Sequence, residues 1–323
     1  MHRRLVNELT LELALVPRGP VLIRAAETGL DPTRAEMEFV RGQHGGEETV
    51  YLPGSTLKGA LRAHCERLAR TLEGGNGDAP RLACNPLSEA REGPGASCSA
   101  RLRRETGQGG EHLFRESCVV CQLFGNIALA ARLRVSDAYP LESVRVEQRA
   151  SVAIDRVYST VASGPLTYEV ATTGAFGARL TLHNFALGHL GLLALTLRDL
   201  DEGRCAIGYG KSRGLGQVGV RVTGFAVRYP GCTVRDGQLV TLNGTVVGLA
   251  DQLHGAGQFP DTSGYAFPAD DATALPAGTS LADDGWGAAS ARMVGDQLAA
   301  LPTLWSACVE RWAALALTRG GQA

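Results

Sequence analysis

Lysine is almost missing from this 323-residue chain: Lys58 and Lys211 are the only two among 32 basic residues. Both fall inside its two most glycine-punctuated motifs. No stretch of about 18 apolar residues occurs, and the basic start His2-Arg3-Arg4 leads into a segment broken by Glu8 and Glu12. Membrane spans and a signal peptide are therefore not expected, and a cytoplasmic chain is. The eight cysteines accompany no extracellular context, and Cys118 and Cys121 form a Cys-x-x-Cys pair, which favours metal binding over a disulfide framework. No nucleophile signature surrounds His64, His183 or His189, so hydrolase triads are unsupported. A Walker A loop needs glycine where Cys205 stands, and a dinucleotide fingerprint needs its third glycine where Arg213 stands.

What is present fills a core: 44% of the residues are hydrophobic and 20% charged, which excludes disorder along the whole chain. The net charge of −1 hides an asymmetry, since residues 233–323 carry −5 and residues 1–232 carry +4. The first part is the better partner for a polyanion, through clustering rather than bulk charge.

Leu9 to Leu15 alternate apolar and other side chains at period two, and Val21 to Ile23 continue as strand after Pro17-Arg-Gly-Pro20. Leu57, Ala60, Leu61, Leu68 and Leu72 repeat at helical spacing, with Ser55 as N-cap after Pro53-Gly54. Glycine and charge dominate residues 74–111, an insertion bracketed by cysteines. Strands follow at Arg132 to Val135 and within Phe176 to Phe185, a helix at Leu187 to Leu197, then strand at Ala206 to Tyr209, a glycine loop, and strand at Val218 to Val227. The order βαββαβ predicts an α+β chain with a ferredoxin-like split unit. Beyond Pro230 the pattern decays until Trp305 to Leu317 offers a last helix.

Three constellations carry chemistry. Gly208-Tyr-Gly-Lys-Ser-Arg-Gly-Leu-Gly216 reads as a phosphate or RNA cradle, its N–H groups joined by Lys211, Ser212 and Arg213. Leu52-Pro-Gly-Ser-Thr-Leu-Lys-Gly-Ala-Leu-Arg62 sets a Pro-Gly turn at a helix N-terminus, where Ser55, Lys58 and Arg62 can meet phosphate. Cys118 and Cys121, with Cys84 and Cys98 flanking the same insertion, offer four sulfurs to one tetrahedral zinc.

The PGSTLKGALR helix start, Cys-x-x-Cys-Gln-Leu-Phe-Gly, a central Ile154-Asp-Arg156 and the glycine loop, in that order, resemble the RAMP superfamily. In particular they are similar to the backbone subunit of type III CRISPR effector complexes, of the Csm and Cmr kind. The resemblance covers about residues 5–230 and implies a modified RNA-recognition fold over residues 1–232, with the metal-binding insertion at 74–126 and a β-hairpin thumb at 138–175. Residues 233–323 remain as an acidic C-terminal extension, for which a protein-facing role is expected. The implied partners are guide RNA, complementary target RNA, copies of the same subunit and other effector subunits.

On the thumb, Arg149 and Arg156 are the expected phosphate contacts, with Val157 and Leu166 as apolar wedges between bases. The family's target-cutting subunits carry an aspartate between the first strand and the PGS helix, after a Gly-Ile pair. Here Gly29-Leu30-Asp31 takes that place, which makes Asp31 the catalytic candidate with Mg2+ or Mn2+, and Glu36 and Glu38 its alternatives. The family commonly holds zinc with one histidine and three cysteines, so His112 is an alternative to Cys84 or Cys98. A metal-independent processing endonuclease would instead use His183 or His189.

Overall fold

A two-residue repeat places alternate side chains on opposite faces of a strand, and the N-terminal leucines obey it. In the computed structural model, which describes residues 4–25, 35–73, 81–93, 95–103, 107–260 and 262–320, Glu8–Pro17 forms β1. Leu9, Leu11, Leu13 and Leu15 are buried, while Glu8, Thr10 and Glu12 line the opposite, open face. Arg41–His44 (β2) and Glu47–Val50 (β3) make a small hairpin.

The helix expected from Leu57 and Leu61 is α1, Gly54–Thr71. It starts one residue before Ser55, and no side chain caps it in the usual way. Instead the Gly54 N–H donates to Asp137 Oδ1 at 2.7 Å. Ser55 is therefore an exposed first-turn residue and not the N-cap.

The insertion contains Cys98–Leu102 (α2), Gly110–Glu116 (α3) and Val119–Phe124 (α4). Leu133–Val135 (β4) and Tyr139–Pro140 (β5) follow. Val146–Ile154 (β6) and Val161–Ala171 (β7) pair as a two-stranded hairpin within the expected thumb. Phe176–His183 (β8), Leu187–Asp201 (α5) and Val218–Pro230 (β9) then return to the body. Two expected strands are not formed as such. Val21 makes only an isolated bridge to Ala171 at the thumb base, and Ala206 to Tyr209 bends, because Gly208 sits at φ +75° where extended backbone cannot continue.

The C-terminal region is built from short pieces: Cys232–Arg235 (β10), Gln238–Thr241 (β11), Val246–Leu249 (β12), Gln252–His254 (β13), Ala272–Ala274 (β14), Ala282–Asp283 (β15) and Ala288–Val294 (β16), closed by the helix Leu301–Gly320 (α6).

Among the described residues the main sheet runs β15–β16–β9–β1–β8–β4, every pair antiparallel, with β5 also against β8. Leu11 stands opposite both Leu180 and Phe225, so three strands deliver apolar side chains to one face at the same level. The helices α1 and α5 cover that face, and α6 packs on α5. A Cβ on Gly191 would lie 2.0 Å from Cys308 O, so only glycine lets these two helices approach as they do.

The 233–323 segment thus contributes to the same core instead of standing beside it as an appendage. Leu253, Met293, Leu304, Cys308 and Trp312 join the cluster formed by Leu11 and Leu190. No helix among the described residues is long and apolar enough to cross a membrane.

Candidate metal centre and RNA-facing groove

The four cysteines named from sequence come from three separated stretches and meet. Cys84, Cys98, Cys118 and Cys121 are buried, and their sulfurs all lie within 4.8 Å of one another. A tetrahedral zinc with Zn–S near 2.3 Å spaces its sulfurs about 3.8 Å apart, and the Cys84 and Cys121 sulfurs stand at 3.6 Å. All eight cysteines are free thiols. Backbone N–H groups aim at the sulfurs, Cys118 N to Cys98 Sγ at 3.2 Å and both Cys84 N and Cys121 N to Cys118 Sγ at 3.4 Å. Such donors favour thiolate.

Hydrogen bonding to Cys118 and then Cys121 lowers the Cys84 thiol to about 7 and Cys98 further, whereas Cys121 and then Cys84 push Cys118 up. The residues fit a metal such as zinc, and the donor set is all sulfur. His112, on α3, is not a member of the group, because the fourth corner is already a cysteine.

The wall behind this centre is α1. Arg62 Nε donates to Glu66 Oε1 at 2.9 Å, Nη1 to the Gly125 carbonyl at 3.1 Å and Nη2 to Cys121 Sγ at 3.4 Å. Arg70 Nη2 reaches Glu66 Oε2 at 3.0 Å and the Cys84 carbonyl at 2.8 Å. Glu73 closes the clamp by accepting the backbone N–H groups of Arg81, Leu82 and Ala83. Arg62, expected to meet phosphate, is instead turned inward, where a buried glutamate four residues along the helix draws it.

The two glycine-punctuated motifs do converge, though not through both lysines. Thr56, Gly59 and Ala60 of α1 face Gly208, Tyr209 and Lys211 across an open groove of about 390 Å3, with Ile23 and Arg24 at its end. Lys58 lies two residues from both Thr56 and Ala60, about 160° around the helix from each. It is half-buried, and burial first and Arg62 second lower its pKa.

The glycine loop forms a short 3-10 turn, Lys211–Arg213, between left-handed Gly210 and Gly214. The N–H groups of Tyr209, Arg213, Gly214, Leu215 and Gly216 are bonded to carbonyls of Leu22, Gly210, Lys211, Gly210 and Pro20. The N–H groups of Gly208, Gly210, Lys211 and Ser212 are not among these bonds, which confines the expected cradle to the start of the turn, beside the side chains. Lys211, Ser212 and Arg213 are exposed, and the Arg213 guanidinium lies 5.2 Å from the Tyr209 ring centroid. Arg24 was not singled out, since it follows a strand pattern that gives no sign of the groove it borders, whereas Tyr209 lies inside the glycine motif.

On the hairpin, Arg156 is exposed at the tip and Arg149 lies near Glu147, with Nη2 to Oε2 at 3.5 Å. The tip also exposes Ile154, Val157, Tyr158 and Val161, between 61% and 80% accessible. Asp155 shapes this turn by accepting the N–H groups of Val157 and Tyr158 at 2.8 and 2.7 Å. Leu166 does not serve as a wedge: it is partly buried against the main core, since it lies nearer the base of the hairpin.

Asp31 lies outside the described residues. The chain after it, residues 35–41, runs along the thumb base, where Met37 N donates to Thr167 O and Glu169 N to Met37 O. Glu169 also accepts from Phe39 N and from both ends of the Arg41 guanidinium, at 2.8 to 3.0 Å. Glu36 is exposed, whereas Glu38 is buried with Arg41 3.7 Å away.

The histidines are placed for structure. His189 is wholly buried, its Nδ1 accepting from Ala186 N and its Nε2 3.3 Å from Gln122 Oε1, and burial pushes its pKa down to about 3. His64 Nε2 lies 2.7 Å from Asp199, and His183 Nε2 lies 2.7 Å from Glu8 on the open sheet face. None of the three lines the glycine-loop groove.

Residues 18–219, which span α1, the cysteine cluster, the hairpin and the glycine loop, match the family model of the RAMP superfamily. The chain belongs to the RAMP superfamily. No curated protein matches it. RAMP membership supports a CRISPR-associated RNA-binding role, and the match ends inside β9. This RAMP protein therefore carries the strand β16, which pairs with β9, and the helix α6 beyond the matched region.

Proposed function

We propose that the chain is a guide-RNA-binding backbone subunit of a type III CRISPR interference complex, of the Csm and Cmr kind, that cleaves bound target RNA with Asp31 and Mg2+ or Mn2+. The observation that carries the reading is the pairing, within one RAMP chain, of a basic groove between α1 and the glycine loop with a projecting hairpin whose tip is apolar. A groove of Arg24 and Lys211 suits a sugar-phosphate backbone irrespective of sequence. An exposed tip of Ile154, Val157 and Val161 suits insertion between stacked bases. The order β9–β1–β8–β4 with crossovers α1 and α5 supports a ferredoxin-like, modified RNA-recognition core.

In this reading residues 1–232 hold the RNA, residues 74–126 carry a structural zinc, and residues 138–175 are the thumb between guide and target. Asp31 positions a divalent ion or the attacking 2′-hydroxyl for in-line cleavage. The alternative assignment of a processing endonuclease loses support because His189 is wholly buried and neither it nor His183 lines the glycine-loop groove.

The test is cleavage of complementary RNA by the assembled complex carrying Asp31→Ala, with Mg2+ or Mn2+ supplied. Loss of cutting with guide and target binding kept within about twofold supports the catalytic role, because a folding defect would lower binding as well. Undiminished cutting reduces the subunit to a guide-binding scaffold.

A further inference from the structure

We infer that Arg62 is a residue of the metal centre, and that a metal held by the four cysteines fixes, through Arg62, the wall that α1 presents to the RNA groove. The second half rests on the reading of that groove as RNA-binding. One helix serves both places: Thr56, Gly59 and Ala60 face the groove, and Arg62, Glu66 and Arg70 face the cysteines. Ala60 and Arg62 are two residues apart, so a shift of one carries the other.

The Arg62 fork is held at three corners, by Glu66 on its own helix, by the Gly125 carbonyl that follows α4, and by Cys121 Sγ. Two of those corners belong to the cysteine-bearing element. A guanidinium is planar and rigid, so it transmits the position of its acceptors to the helix that carries it better than a lysine does. Four thiolates around one divalent ion also leave a net charge of −2, and an inward guanidinium beside Cys121 offsets part of it. Groups that bond to metal-ligating atoms typically change metal affinity 10- to 100-fold when removed. With the ion in place, Cys121 Sγ stands at one point, and so does Arg62. Without it, that corner of the fork is no longer pinned.

The experiment uses the full-length protein with zinc bound, as wild type, Arg62→Gln, Arg62→Lys and Lys211→Gln. Two quantities are read: zinc release to a chromophoric chelator, and affinity for a single-stranded RNA oligonucleotide across a salt series. For Arg62→Gln, release is expected to accelerate on the order of ten-fold, and RNA affinity to fall with an unchanged salt slope. Excess zinc should refill the site without restoring that affinity, because the fork that ties it to α1 is gone. Arg62→Lys keeps the charge but not the fork and should behave like Arg62→Gln.

A salt slope reduced by about 0.7, as for one lost phosphate contact on a single strand, together with normal zinc release, would return Arg62 to the RNA surface and overturn the inference. Faster zinc release with RNA affinity untouched would overturn the coupling. Lys211→Gln separates the two readings: it should lower the salt slope and leave zinc release alone. If it changes neither, the groove is not the RNA site, while the zinc-release result still decides whether Arg62 belongs to the metal centre.

Discussion

Asp137 Oδ1 accepts the first backbone N–H of α1, from Gly54, at 2.7 Å. A carboxylate thus occupies part of the positive helix start that the PGS motif offers to phosphate.

Asp137→Asn keeps the acceptor oxygen and removes the charge. RNA affinity should rise a few-fold at low salt, because a unit charge about 4 Å away in water is worth about 1 kcal/mol, and the gain should vanish as salt screens it. Asp137→Ala also removes the acceptor and should cost about 1 kcal/mol of stability. Titration of RNA binding at two ionic strengths, with urea unfolding alongside, checks both.

Metal removal should unravel the insertion. Elemental analysis of the purified protein should give about one zinc per chain, and Cys118→Ser should lose it together with thermal stability, since binding free energy at such sites is folding free energy. A metal-free preparation that melts like the wild type would contradict this.

Two buried groups at α5 oppose each other in pH dependence. Burial, then the charges of Arg132 and Arg319, push His189 from 6.5 down to about 3. The unfolded chain therefore binds the extra proton between those values, and this contribution, full above pH 6.5, is lost as pH falls. Burial raises Asp271 from 3.8 to about 7, although its carboxylate accepts the Leu187 N–H. Its contribution is full below pH 3.8 and is lost as pH rises toward 7.

Each slope is about 1.4 kcal/mol per pH unit, so between pH 4 and 6.5 they largely cancel. Asp271→Asn should leave the His189 slope unopposed, steepening acid destabilisation, and should make the protein more stable than wild type near pH 8. Denaturant midpoints from pH 4 to 8 report the difference.

Truncation after Pro230 should leave an aggregating protein. It strips β16 from the edge of β9, through pairs such as Ala291 with Val227, and uncovers α5, whose Leu190, Leu193 and Leu197 are buried. Size-exclusion chromatography of the shortened chain decides this, and a soluble monomer would count against it.

Much of this was readable because it was local. The alternation from Leu9 to Leu15, the spacing of Leu57 and Leu61, and Cys118 with Cys121 each state their structure within a few residues. What failed was set by partners far away in sequence. Ser55 lost the cap to Asp137, and Arg62 was drawn to Gly125 and Cys121 across the insertion as well as to Glu66 on its own helix. The single stripe of α5 concealed a helix buried on nearly all sides, because α6 returns over Gly191. The region after Pro230 stayed unread because its strands are two to seven residues long, too short to show a period.

The main sheet ends on β15, two residues long, and on β4, three. Edges this short present a neighbouring chain with only about one or two main-chain hydrogen bonds, too few to zip sheets together. Copies of this protein meeting at these two edges would accordingly recognise one another there through side chains, which leaves their spacing open to adjustment by single substitutions.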